Sequence, residues 1–328
     1  MAAGRLKIFA VSVCLAMLFS GCETSRKLSK GPAYDLALKF EANDTAVYCV
    51  TIERGNTHQF DQPGENKSEK QQRWSRNAVT FSQRIIDIDN EGNAVAEIVI
   101  KSLKYSSKGM KDDVGLDFDS QRQSDAGQPL MKLIDSSYKI RITPAGAVEV
   151  IDTAKARSAL TGKSRPILVA KDLLSDDSIK ARHGFASVLP PPGSSRVKQQ
   201  SQWTHQQDSP VRMLMEKTYE KSFIFDKVEQ RNSRNIAVVD MNAAAVSSQA
   251  SEGAAGFAMF AAVMTVKEPA DTFKGCLEFD LDTGRVEKYT ESLLSEIVFE
   301  DNSKKTQDTS PDQLTLGSQY TYTAELIE

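Results

Sequence analysis

Few residues of this chain stand at spacings that could do chemistry. Asp282-Thr283-Gly284 follows an apolar run and has the form of the acid loop of an aspartic protease. That chemistry needs two carboxylates sharing one proton. The nearest second candidate, Asp119-Ser120, is followed by Gln121 where glycine is needed, so a hairpin turn is the better reading. Asp87-Ile88-Asp89-Asn90-Glu91-Gly92 is similar to a calcium loop, but Ile98 stands where the bidentate glutamate belongs, and the segment reads as a hairpin tip. Thr161-Gly162-Lys163-Ser164 ends like a phosphate loop whose first glycine would fall at Arg157. His58, His183 and His205 have no metal-ligand spacing, no cysteine has a CxxC partner, and no serine sits in a G-x-S-x-G elbow. The expectation is a non-enzymatic protein with no metal or cofactor.

One residue does carry a definite chemistry, Cys22. Arg5 and Lys7 precede an apolar stretch from Ile8 to Phe19, and small residues then lead to the cysteine. This is the layout of an export signal, and the stretch is shorter than the roughly 20 residues that span a bilayer. Ser20-Gly21-Cys22 resembles a bacterial lipobox, with Phe19 where that motif usually has leucine. The resemblance implies cleavage ahead of Cys22 and lipid, such as palmitate, on its thiol, several acyl chains together anchoring stably. The alternative is an ordinary secretory signal with an incidental cysteine. Residues 1–21 are thus the leader and 22–33 a polar tether. Glu23, in place of the aspartate of inner-membrane retention, implies the outer membrane, facing the periplasm.

The 328 residues include 41 Lys+Arg and 44 Asp+Glu, a formal charge of −3 that gives no reason to expect nucleic acid. With Cys14 in the leader and Cys22 in the anchor, Cys49 and Cys276 remain. They could pair in a disulfide-permitting compartment or stay as buried free thiols.

Strand signals dominate the body. Ala46–Glu53 alternates apolar residues, and Arg54–Gln72 reads as a polar loop. Val79–Asp87 and Ala94–Leu103 flank the turn Asp89-Asn90-Glu91-Gly92-Asn93, and Tyr138–Val150 folds about Pro144-Ala145-Gly146, both hairpin signatures. From Asp152 to Val188 the apolar spacing turns helical, with Ser175 as an N-cap, and Pro190-Pro191-Pro192 ends it. Hairpins return at Tyr219–Val228 with Ile236–Val246, and at Phe273–Leu281 with Arg285–Thr290; Glu296–Phe299 and Tyr320–Leu326 add late strands. The expected fold is α+β, mainly antiparallel hairpins in two lobes (34–152 and 193–328) around a helical insert at 153–192. Asn93-Ala94-Val95-Ala96 beside Asn235-Ile236-Ala237-Val238 is consistent with a duplicated unit, though hairpins recur in any antiparallel protein.

Phe118-Asp119-Ser120, Tyr138 to Gly146 with Val148, Leu189-Pro190 with Trp203, and Gly275 with Phe279 to Gly284 resemble a domain-of-unknown-function family of exported, β-rich bacterial lipoproteins. A Gly-Asp pair before the tryptophan is replaced here by Ser201-Gln202. The resemblance implies a fold and a location and carries no chemistry. Gly253–Val266 is almost wholly small and apolar, with Phe257, Met259, Phe260 and Met264. It reads as a buried packed element or as an adaptable surface touching lipid or a partner. The expected function is a lipid-anchored envelope protein that binds or scaffolds an envelope partner. The alternative is a carrier of a hydrophobic or lipid ligand in a β-sheet cavity.

Overall fold

The computed structural model describes residues 31–110, 115–211, 215–250, 264–267, 270–301, 303 and 310–328. Gly31–Glu328 forms one compact unit. Its strands are β1 (Ala33–Asp35), β2 (Thr45–Gln62), β3 (Lys67–Ile88), β4 (Ala94–Lys108), β5 (Leu116–Asp119), β6 (Ser137–Ile142), β7 (Val148–Asp152), β8 (Arg196–Lys198), β9 (Gln202–Asp208), β10 (Met215–Arg231), β11 (Arg234–Ala250), β12 (Thr265–Val266), β13 (Ala270–Asp280), β14 (Arg285–Asp301) and β15 (Asp312–Leu326). The helices are α1 (Ala154–Ser158), α2 (Arg165–Leu173) and α3 (Asp176–His183). The chain is therefore mainly antiparallel β, with few helices.

Thirteen strands make one sheet in the order β7-β6-β4-β3-β2-β15-β14-β13-β11-β10-β9, with β5 beside β4 and β12 beside β14; β1 and β8 pair separately. The strands expected in two lobes are thus joined through the β2–β15 ladder. Period-two alternation supplies an inner face. Tyr48, Val50 and Ile52 on β2, Val79 and Phe81 on β3, and Tyr320, Tyr322 and Ala324 on β15 all point into the core.

An open twisted sheet of this width must curl, and two hydrogen bonds record how far. Leu38 N donates to Pro144 O in the β6–β7 turn (2.8 Å), and Lys39 N donates to Gly284 O in the β13–β14 turn (3.0 Å). Those strands stand six places apart in the sheet, roughly 29 Å if it were flat. Neighbouring residues only about 3.8 Å apart reach both.

The helical segment lies inside the curl. Ser175 caps α3 by accepting from Ser178 N at 3.2 Å, as its sequence implies. Ile167, Ala170 and Leu173 of α2 and Ile179 of α3 are buried. Strand side chains hold the segment by its backbone: Tyr322 Oη donates to Arg182 O (2.8 Å) and Trp203 Nε1 to Val188 O (2.9 Å). His205 Nε2 adds a contact to Leu189 O at 3.0 Å. Tyr48 packs on Phe185 with ring centroids 4.9 Å apart.

The expected polar loop at 54–72 is instead the outer halves of β2 and β3, turning only at 63–66. Polar residues on both faces silence the alternation there, while the ladders between β2 and β3 and between β2 and β15 keep the backbone extended. The two late strands are likewise parts of the longer β14 and β15.

Gly92 and Gly146 both sit at φ +81°, yet their surroundings differ. A Cβ at Gly146 would lie 2.0 Å from Ala186 O, whereas at Gly92 the nearest atom is Pro144 Cγ at 3.6 Å. Gly92→Ala should cost only the left-handed penalty of about 1–2 kcal/mol. Gly146→Ala should cost at least about 2 kcal/mol more, because the helical segment must move. Urea unfolding of the two variants measures the difference.

Candidate functional site

The inner face of the C-terminal half carries charge where apolar residues are expected. On β10 the inward positions are Lys217, Tyr219, Lys221, Phe223 and Phe225. In register across β11, β13 and β14, Lys221 is followed by Ala243, Phe273 and Leu293, and Phe223 by Met241, Gly275 and Glu291. Lys221 bonds Glu291 over the two intervening strands, its ammonium 4.8 Å from the Phe273 ring centroid. Gly275, on the same path, is closed in by its own neighbours. A Cβ at Gly275 would lie 2.4 Å from Thr290 O and 2.9 Å from Met241 Cε.

Both partners of this pair are almost completely buried, with 3% and 5% of their side chains exposed. Tyr289 Oη donates to Glu291 Oε2 at 2.6 Å. A second pair lies beside it: Lys217 Nζ reaches both oxygens of Asp271 (2.9 and 2.7 Å), which also accepts from Ser295 Oγ (2.6 Å) and Tyr219 Oη (3.1 Å). Buried charges need such additional donors to offset desolvation.

Between α3 with the turn after it and this part of the sheet lies a cavity of about 480 Å³. Phe223, Tyr289, Tyr320, Tyr322 and the Lys221–Glu291 pair line the sheet side; Phe185 and Val188 line the helical side. Arg54, Lys180 and His205 also border it. Burial raises the Tyr289, Tyr320 and Tyr322 hydroxyls well above their ordinary range, the Glu291 charge adding to the effect on the first two. They therefore remain neutral donors. Burial also lowers His205 below the usual imidazole range, against its bond to Leu189 O. Rings, neutral hydroxyls and a fixed ion pair thus line a space within the size range of small-ligand pockets.

A scan of known protein families finds no match, and no curated protein is similar to the chain. Among solved structures, a lipovitellin described by its lipid–protein interactions aligns with 88% of this chain at 8% identity and a TM-score of 0.43. The chain spans about a quarter (26%) of that protein. A DUF1329 family protein from Desulfovibrio piger aligns over 84% of this chain and 85% of its own, at 8% identity and a TM-score of 0.13. Pseudomonas aeruginosa OpdQ aligns over 87% and 98%, at 8% identity and 0.18. These scores are too low to decide fold or function.

The residues singled out from sequence are not brought together. Cys22, Phe257, Met259 and Phe260 lie outside the described residues; Met264 is half-buried just before β12. Cys49 and Cys276 are both free, half-buried thiols on the outer face, so of the two readings left open by the sequence the pairing is not formed. β15 and β14 separate them, so their Cα atoms are roughly 14 Å apart or more, twice what a disulfide spans. Burial, then the Asp240 charge, raises the Cys276 thiol to about 11.

Asp282 and Gly284 form the β13–β14 turn: the carboxylate accepts from Asn235 N (2.8 Å) and Nδ2 (3.1 Å), and the glycine stands at φ +67°. Asp89 accepts from Glu91 N and Asn93 N, each at 2.9 Å, in the β3–β4 tip. Residues 161–164 lead into α2, and His58 is exposed on β2. Among the described residues no group of three His, Cys, Asp or Glu is placed to hold a metal. Lys217, Lys221, Asp271 and Glu291 were not anticipated. The available signal was phase: both lysines share the inward parity of Tyr219 and Phe223, and Glu291 that of Tyr289 and Leu293.

Opposite the ion pairs, a second polar chain fixes α3. Arg182 Nη1 donates to Tyr138 Oη (2.9 Å) and Nη2 to Leu173 O (2.6 Å). Tyr138 Oη also lies 2.9 Å from His183 Nε2, while Nδ1 is buried with no hydrogen-bond partner among the described residues. Burial, aided by the Arg182 charge, holds His183 well below 6.5.

Two outcomes follow. Lys221→Met strands a buried carboxylate and should cost about 3–5 kcal/mol, whereas Lys221→Met with Glu291→Leu should recover most of the loss; urea unfolding of both decides. Because His183 is neutral when folded and ionises when unfolded, its contribution is complete above about pH 6.5 and declines as pH falls below it. His183→Phe should therefore flatten the fall in Tm between about pH 6.5 and pH 5, read by a thermal melt series.

Proposed function

We propose that this protein is a lipid-anchored envelope protein that binds, without catalysis, a lipid or acylated ligand against the inner face of its sheet. The observation that carries this reading is the cavity of about 480 Å³ between α3 and the sheet. Its walls join rings to neutral hydroxyls, the mixture that suits an amphiphile. Apolar inward residues continue beyond the helical segment, with Phe60 on β2, Ile297 and Phe299 on β14, and Leu314 and Leu316 on β15. They extend the apolar surface toward the strand ends that residues 251–264 connect.

The anchor belongs to the same proposal. Acylated Cys22 and the polar residues 22–33 would hold the body at the outer membrane on the periplasmic side, next to the lipids and acylated proteins it would bind. The expectation from sequence is binding or scaffolding of an envelope partner, with a carrier of a hydrophobic or lipid ligand as the alternative; the cavity favours that alternative.

The test is lipid analysis of the full-length protein purified from a bacterium with two membranes. Near-stoichiometric non-covalent acyl species, distinct from the chains on Cys22, should appear by native mass spectrometry, and Ala181→Trp at the exposed cavity rim should remove them while leaving the far-UV circular dichroism spectrum unchanged. A parent preparation free of lipid counts against the carrier. In the same cells labelled palmitate should mark the parent and not Cys22→Ala; label on neither removes the anchor.

A further inference from the structure

The cavity is unevenly charged, and the imbalance specifies its ligand. Its described lining contains three permanent cations, Arg54, Lys180 and Lys221, and one carboxylate, Glu291. Lys221 and Glu291 neutralise each other at the buried floor. Arg54 and Lys180 are left. Neither forms an ion pair among the described residues.

Arg54 is held in place without being neutralised. Its guanidinium carbon sits 5.8 Å from the Tyr320 ring centroid, and Nε makes one long contact to Pro210 O at 3.4 Å. Stacking on a tyrosine fixes the guanidinium plane while leaving most of its donors open. Lys180 lies on the exposed side of α3, in the element that covers the cavity. His205, lowered by burial and by Lys221, adds no cation near neutral pH. Beneath the rim, Phe223, Phe185, Val188 and Tyr322 supply the apolar surface.

We infer that the ligand is an acyl chain ending in an anionic oxygen head group, a carboxylate or a phosphate, held at the rim by Arg54 and Lys180 with its chain on the rings below. This inference rests on the ligand-binding reading of the same cavity. Guanidinium pairs with either head in a bidentate fork, and both oxyanions offer the same charge-assisted acceptors. A neutral head would gain nothing from the two exposed cations, and a cationic head would be repelled by them.

The experiment compares three probes with one chain length on the full-length protein: laurate, dodecyl phosphate and dodecanol. Affinity is measured by displacement of a fluorescent acyl probe at low and high salt. Laurate or dodecyl phosphate should bind at least about tenfold tighter than dodecanol, the value of one charged hydrogen bond. The tighter of the two anions names the source of the head group. The preference should shrink with salt and collapse in Arg54→Gln/Lys180→Gln. Both sites are exposed, so a thermal melt can confirm that the double variant folds. Equal affinity for dodecanol and the anions, or an undiminished preference in the double variant, overturns the head-group assignment and leaves the ligand-binding reading intact. No binding of any probe overturns both.

Discussion

The ladder between β2 and β15 is the constraint on which everything else rests. It runs from Leu326 opposite Tyr48 to Gln313 opposite Asp61, joining residues more than 240 positions apart. Remove it and the strands before and after the helical segment become two separate half-sheets. The inner face of each would then have to find another cover. The cavity would also vanish, because its walls come from β2, β10, β14 and β15 together. Contacts this distant in sequence carry a high loop-closure entropy, so such a sheet belongs to the slow-folding class.

Within that frame the ion pairs are ties across a curve. Lys221 and Lys217 bond carboxylates on strands that are not their neighbours. Gly275 is bare because the neighbouring strand and Met241 close on it. The net contribution of the ion pairs to stability is small, since replacing a buried pair by packed apolar residues is often neutral or favourable. What they add is specification. A one-residue register slip in β10 would turn both lysines outward and strand their carboxylates.

How much could be read in advance follows from the physics of each element. The hairpin tips at Asp89, Pro144 and Asp282, and the Ser175 cap, were legible because their determinants are local: a carboxylate or hydroxyl near backbone amides and a residue able to take positive φ. The central strand halves were legible because one face is buried. The outer halves of β2 and β3 were not, because polar residues stand on both faces and only the neighbouring ladders hold them extended. Cys49 and Cys276 were ambiguous for a related reason, since pairing depends on strand order, which alternation does not encode. The cavity was invisible as a site. Its residues come from distant segments, each ordinary alone, and only the inward parity of Lys217, Lys221 and Glu291 hinted at it.

The manner in which the helical segment is held has a consequence for how freely its sequence can drift. Tyr322, Trp203 and His205 address main-chain oxygens of residues 182, 188 and 189, not their side chains. A carbonyl is present whatever residue occupies the position. Substitutions on the helical side therefore leave these docking bonds available, whereas loss of a strand-borne ring removes one outright. The exposed positions of the cover are thus free to diversify, while Arg182 and His183, whose side chains meet Tyr138, and the strand side chains that grip its main chain keep its placement unchanged.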